Sequence, residues 1–215
     1  MKSYQKIFLA ILVLSIVSIV LFSTIFSYLF NMKYYESKYL KYHIYDIFTK
    51  NQTENATQDI FDYFHSVNDL DPSFFNKDEI NHLTDVKRLL ESCWKIYLMS
   101  LILFWGLLFA TYIIDKKRFA SFFSLLLFYS GIVICISMVI IATIYFTIGF
   151  DALFLKFHEI VFTGNYAFDP AVSNMKAMFP DLFFFEIARN IIVMILIKGI
   201  LLTFVGYFMK RRFNL

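Results

Sequence analysis

The sequence predicts an all-α integral membrane protein, with four transmembrane helices and a small extracytoplasmic cap built from two loops. Three observations predict it. The 215 residues are 59% hydrophobic and 20% aromatic, with a mean hydropathy of +0.62, well above the roughly half-apolar composition of soluble domains. Charge-free runs separate Lys6 from Lys33, Lys95 from Asp115 and Arg118 from Asp151, and each is long enough for the about 20 helical residues that cross a hydrocarbon core. The basic residues are also unevenly placed along the chain, which gives an orientation.

The spans are expected at approximately 7–31, 93–114, 119–149 and 187–209, in a single membrane domain over 1–215. The first run exceeds the roughly 7–15 apolar residues of a secretory signal and is followed by no small-residue cleavage site, so it reads as a retained anchor. The last span, from Ile191 to Met209, is interrupted only by Lys198. An intramembrane ammonium is costly, but its long stem can bend toward water, so a catalytic role for Lys198 is the weaker reading.

Lys2, Lys6, Lys116, Lys117, Arg118, Lys210, Arg211 and Arg212 face a single acid, Asp115, in the segments at the ends of the spans. These segments are expected inside the cell. The outer loops are then 32–92 and 150–186; segment 31–91 holds seven basic and eleven acidic residues, and 150–186 holds two and five. This pattern is a topological signal and disfavours nucleic acid as a partner.

Loop 32–92 reads as an aromatic, basic run, then a polar turn "TKNQTENATQD", then a half-apolar piece leading into the second span. Its two N-x-T sequons, at Asn51 and Asn55, decide nothing without knowledge of the secretory pathway. In loop 150–186, "DALFLKFHEIVF" carries its apolar residues largely on one stripe and reads as an interfacial helix. Pro170 and Pro180 limit regular helix between them. Neither loop has enough apolar residues to fold alone.

Two loop histidines carry the candidate chemistry. His82 precedes the second span by about three helical turns, and His158 follows the third on the same side. Asp85, one turn after His82, is placed to lie beside its ring and fix the tautomer. Lys87 and Arg88 are candidates for holding an oxyanion or lipid carbonyl, or are solvated anchors. Arg189 stands at the outer end of the last span as a candidate wall of the site. His43 and His65 read as packing or solvent-facing residues. Cys93 and Cys135 lie at different depths and read as packing residues that form no disulfide. No HExxH or CxxC spacing favours metal, and no G-x-S-x-G elbow favours a serine nucleophile. Proton transfer by histidine without a covalent intermediate fits best.

"HLTDVK" (82–87) before one span and "FHEIVFTGNYAFDPAVSNMKAMFPDLFF" (157–184) before the last resemble the signature segments of the bacterial lipoprotein intramolecular transacylase family. There the first reads H-M-x-D-V-K, and the second reads F-H-x-x-F-F followed by an aromatic with D-P, then F-P and F-F. This chain departs at Leu83, Val161, Tyr166, Ala167 and Asn174.

The resemblance implies transfer of an O-linked acyl chain of a diacylglyceryl lipoprotein to the α-amino group of its N-terminal Cys, giving the lyso form. His82, His158 and Asp85 would be catalytic, and Lys87, Tyr166, Asp169 and Arg189 would bind substrate. No cofactor is needed, because converting an ester to an amide is downhill. The expected partners are diacylglyceryl lipoproteins in the outer leaflet and membrane lipids, at a bacterial cell membrane with both termini cytoplasmic. Sequence alone leaves open which histidine is the base. It also leaves open two rivals, a non-enzymatic accessory or transporter component and a lipoprotein deacylase.

Overall fold

A computed structural model describes residues 3–162, 164 and 166–212. Among them there is no strand; the elements are α1 (Ser3–Leu29), α2 (Met32–Lys41), α3 (Lys50–Phe64), α4 (Lys77–Ile114), α5 (Phe119–Ile148), α6 (Phe150–Val161), α7 (Asn174–Met178) and α8 (Asp181–Arg212), with short 3-10 turns at Ile44–Asp46 and Lys116–Arg118. Four segments, Ser3–Leu29, Lys77–Ile114, Lys116–Ile148 and Asp181–Arg212, are long and apolar enough to cross a membrane. At 1.5 Å per residue, the 38 residues of α4 extend about 57 Å, well beyond a hydrocarbon core of about 30 Å. Its charged residues Lys77, Asp78, Glu79, Asp85, Lys87, Arg88, Glu91 and Lys95 all lie in the first half, so only the later, apolar part suits a bilayer.

The chain packs as two units. The first comprises Met1–Ile25, Cys93–Thr147 and Asn190–Leu215. Leu12, Val13 and Ile16 of α1 pack with Phe122 and Leu126 of α5, and Ile134 and Met138 of α5 pack with Ile195 of α8. Large apolar side chains such as Ile102, Trp105 and Phe109 point outward, an arrangement that suits lipid tails rather than water. Glycines let α5 and α8 approach closely: a Cβ on Gly131 would lie 2.5 Å from the Gly199 carbonyl oxygen, and one on Gly206 would lie 2.4 Å from the Phe128 nitrogen. Polar groups are met locally. Ser100 donates to Ser18 at 2.8 Å, and the Lys198 ammonium donates to the fully buried Thr24 hydroxyl at 2.8 Å.

The second unit comprises Phe26–Ser92 and Ile148–Arg189. Its core joins the two segments: Tyr35, Tyr39, Ile60, Phe61, Phe75 and Leu83 from one, Met175, Met178, Phe179 and Phe183 from the other. The polar turn expected over Thr49–Asp59 is instead the start of α3. Thr49 and Gln52 form a reciprocal capping box that satisfies the first amides of the helix. The small residues Thr53, Ala56 and Thr57, at helical spacing with Ile60 and Phe61, then bury one face. Glu186 accepts ion pairs from Lys38 and Lys41, which fasten α2 to the start of α8.

Candidate active site

Both candidate histidines lie in the second unit, His82 on α4 and His158 on α6. Their rings stack, with centroids 6.1 Å apart and planes inclined by 16°. Aromatic side chains surround the pair. Phe162 and Phe168 approach the His82 ring at 4.9 and 5.5 Å, and Phe154, Phe162 and Tyr166 approach the His158 ring at 4.3, 5.3 and 5.5 Å.

The nitrogens differ in their surroundings. Nδ1 of His158 lies 2.7 Å from the Phe154 carbonyl oxygen. A carbonyl can only accept, so Nδ1 carries a proton, and the lone pair of the neutral tautomer is that of Nε2. His82 Nδ1 is buried and has no hydrogen-bond partner among the described residues. Burial, reinforced by the neighbouring His158 and partly opposed by Asp85, holds the His82 pKa down to about 4. His82 is therefore neutral at ordinary pH.

The pair lines a mostly apolar cavity. Tyr35, Ile60, Phe61 and Phe183, all buried, contribute walls, together with the partly exposed Tyr166, Phe168 and Lys176. Thr57, fully buried, also lines it, with its hydroxyl hydrogen-bonded to that of Tyr39 at 2.6 Å. The two imidazoles bring polar atoms into this otherwise mostly apolar wall.

The other sequence candidates are distributed unequally. Tyr166 lines the cavity beside His158. Among the described residues Asp85 accepts a hydrogen bond from Arg88, at 3.1 Å, and none from His82, whose imidazole it influences through its charge. Lys87 lies over the Tyr63 ring at 4.2 Å, and Arg189 approaches Glu186 at 3.8 Å; neither lines the cavity. Asp169 shapes a turn, its side chain accepting from the Ala171 amide at 2.9 Å and its carbonyl from the amides of Val172 and Ser173. His65 donates from Nδ1 to the Phe61 carbonyl, and His43 is exposed beside Asp46.

Sequence reasoning passed over Phe168, Lys176 and the buried Glu79. The Asn76-x-x-Glu79 spacing ahead of an apolar helix was a readable capping signal.

A many-helix membrane protein in which paired imidazoles face an apolar cavity has the equipment of a membrane acyltransferase. Residues 8–184 match the model of the lipoprotein intramolecular transacylase family Lit, and the chain belongs to that family. Its activity is therefore acyl transfer within a lipoprotein. No curated protein sequence matches it significantly. Among solved structures it is similar to the in meso structure of the membrane-integral lipoprotein intramolecular transacylase Lit from Bacillus cereus, at 20% identity and a TM-score of 0.78, over 98% of each chain. Two further structures of that Bacillus cereus protein carry a histidine replaced by arginine and by alanine. Both are 20% identical with TM-scores of 0.75, the first over 99% of this chain and 95% of its own, the second over 98% and 96%.

Proposed function

We propose that His158 and His82 transfer an O-linked acyl chain of a diacylglyceryl lipoprotein to the α-amino group of its own N-terminal Cys, leaving a free glyceryl hydroxyl. The observation that carries this reading is the stacked pair at the apolar cavity, with the His158 tautomer fixed by the Phe154 carbonyl. Nε2 of His158 is the base: it takes a proton as the neutral amine attacks the ester carbonyl. The imidazolium keeps its Nδ1–H bond to the Phe154 carbonyl, which holds the ring in place through the proton transfer.

His82, kept neutral by burial, donates from a ring N–H to the oxyanion. Collapse of the intermediate breaks the bond to the glyceryl oxygen, which recovers the proton from His158. One proton leaves nitrogen and one reaches oxygen, so the enzyme returns to its starting state. Amine and ester belong to one molecule, so the main contribution of the protein is a near-attack geometry. An apolar, aromatic-walled cavity also limits water, which favours transfer over hydrolysis.

Tyr166 is the substrate-contacting residue best supported by position, and Asp169 serves the site by shaping its turn. Asp85 tunes the charge on His82. Lys87 and Arg189 are candidates for contacting the more polar parts of the lipoprotein outside the cavity. The basic residues near the span ends support cytoplasmic termini and a site on the extracytoplasmic side, within reach of lipoproteins in the outer leaflet.

The test is tandem mass spectrometry of a lipoprotein N-terminal peptide from a host that makes only diacylglyceryl lipoproteins, with and without this protein. Transfer leaves the precursor mass unchanged and yields an N-acyl fragment with a monoacylglyceryl thioether. A peptide lighter by one acyl chain, with a free amine, would instead identify a deacylase. An unaltered peptide beside folded protein would return the chain to a non-enzymatic role.

A further inference from the structure

The first turn of α4 holds a carboxylate that the chemistry above does not use. Glu79 is fully buried, and among the described residues no cation pairs with it. A buried carboxylate without a counter-charge persists only where several donors hold it. Here Oε2 accepts from the Asn76 amide at 2.6 Å, closing a reciprocal cap with Asn76 Oδ1, which accepts from the Glu79 amide at 3.0 Å. Capping the helix would need no more. Yet Oε1 accepts from the Ser173 hydroxyl at 2.5 Å and from the Met175 amide at 2.8 Å, residues 94 and 96 positions away. Asn174 adds a bond from its side chain to the Phe74 carbonyl at 2.7 Å.

These bonds close a circuit around His82. From Glu79 the chain of contacts runs to Ser173, whose amide donates to the Asp169 carbonyl at 2.9 Å. Phe168, the preceding residue, packs on the His82 ring, and Tyr166 packs on that of His158. His82 itself stands one helical turn beyond Glu79. The grip on Ser173 and Met175 thus fixes the aromatic wall against the helix that carries His82.

We propose that Glu79 is a positioning residue of the site: through Ser173 it sets the wall bearing Tyr166 and Phe168 relative to His82. This rests on the assignment of the histidine pair given above. Because a carboxylate accepts where a carboxamide nitrogen donates, the same grip cannot be made by glutamine at all of these contacts.

The experiment uses the full chain in detergent, as wild type, Glu79→Gln, Ser173→Ala and Ser173→Thr. Glu79→Gln keeps the Ser173 cap on the Lys176 amide, and Ser173→Thr keeps the hydroxyl. Four quantities are read: the thermal unfolding midpoint, kcat and KM on a synthetic diacylglyceryl-Cys peptide, and the pH midpoint of His82 carbethoxylation followed by mass spectrometry. Expected are folded Glu79→Gln and Ser173→Ala proteins whose kcat falls at least tenfold while KM changes less. Their His82 midpoint should rise toward that of an ordinary histidine as the wall loosens, and Ser173→Thr should restore both readouts. Wild-type kcat with an unchanged midpoint in the folded variants overturns the proposal. So does a kcat loss that only tracks the folded fraction. If the wild type itself transfers no acyl chain, the functional reading fails, and the carbethoxylation midpoint alone still decides whether Glu79 positions the wall.

Discussion

Exposing His82 should turn it from a ring that is neutral at ordinary pH into an imidazole that titrates there. Phe168 covers that ring at 5.5 Å, and burial is the largest cause of its low proton affinity. With a pKa of about 4, about 9% of His82 is protonated at pH 5; at an unperturbed 6.5 the figure would be about 97%. The neutral fraction at pH 5 therefore falls from about 0.9 toward a limit of about 0.03, up to a thirtyfold loss of the donor-acceptor form. Phe168→Ala should move the midpoint upward from about 4 within that range.

The sign for stability follows from the same depression. Between pH 6.5 and about 4 the unfolded chain binds the His82 proton more readily than the folded one, so stability declines as pH falls through that window. Phe168→Ala should flatten this decline. Ring-labelled histidine NMR in micelles, titrated with assignment by His82→Gln, reads the midpoint directly. A native His82 that titrates near 6.5, unmoved by Phe168→Ala, would refute the reasoning.

Other consequences follow from single contacts. His158→Ala should lower transacylation by about 10²–10⁴-fold without unfolding the protein, checked by initial rates on a defined lipopeptide beside a thermal melt. Gly131→Ala and Gly206→Ala should each destabilise by about 1–3 kcal/mol, because the new Cβ meets backbone atoms of the facing helix, which cannot move aside as the end of a side chain can. Their unfolding midpoints in detergent check this. Thr24→Val should cost about 1–3 kcal/mol by removing the hydroxyl that receives the Lys198 ammonium. Lys198→Met in that background should recover stability in the same melt.

Much of this architecture was legible because a membrane imposes a length and polarity rule on each span. The three charge-free runs, with a fourth stretch broken only by Lys198, name the four apolar helices without any tertiary information. His82 and His158 were legible as a pair, and their meeting depends on the joint core of two distant segments, to which Leu83, Met175 and Phe183 contribute. The helical start of α3 was not, because small polar residues such as Thr53 and Thr57 bury as readily as alanine once a neighbouring hydroxyl or carbonyl satisfies them. Asp85 at one helical turn from His82 suggested a direct bond, but Arg88 sits one turn further and offers a stronger, charged donor. The role of Asp169 in its turn and of Glu79 in its clamp depends on contacts with neighbouring backbone and with residues nearly a hundred positions away, which periodicity does not report.

The central claim is direct passage of the acyl chain from oxygen to nitrogen under the two imidazoles, with no acyl-enzyme. The most direct measurement is a crossover experiment with purified protein. Unlabelled diacylglyceryl-Cys peptide is mixed with peptide labelled in both its acyl chains and its amino-acid part, and the N-acyl products are read by tandem mass spectrometry. Direct transfer yields only light–light and heavy–heavy products, formed by the wild type and lost in His158→Ala and His82→Ala. Mixed light–heavy products, or an acyl chain found on the protein, would contradict it.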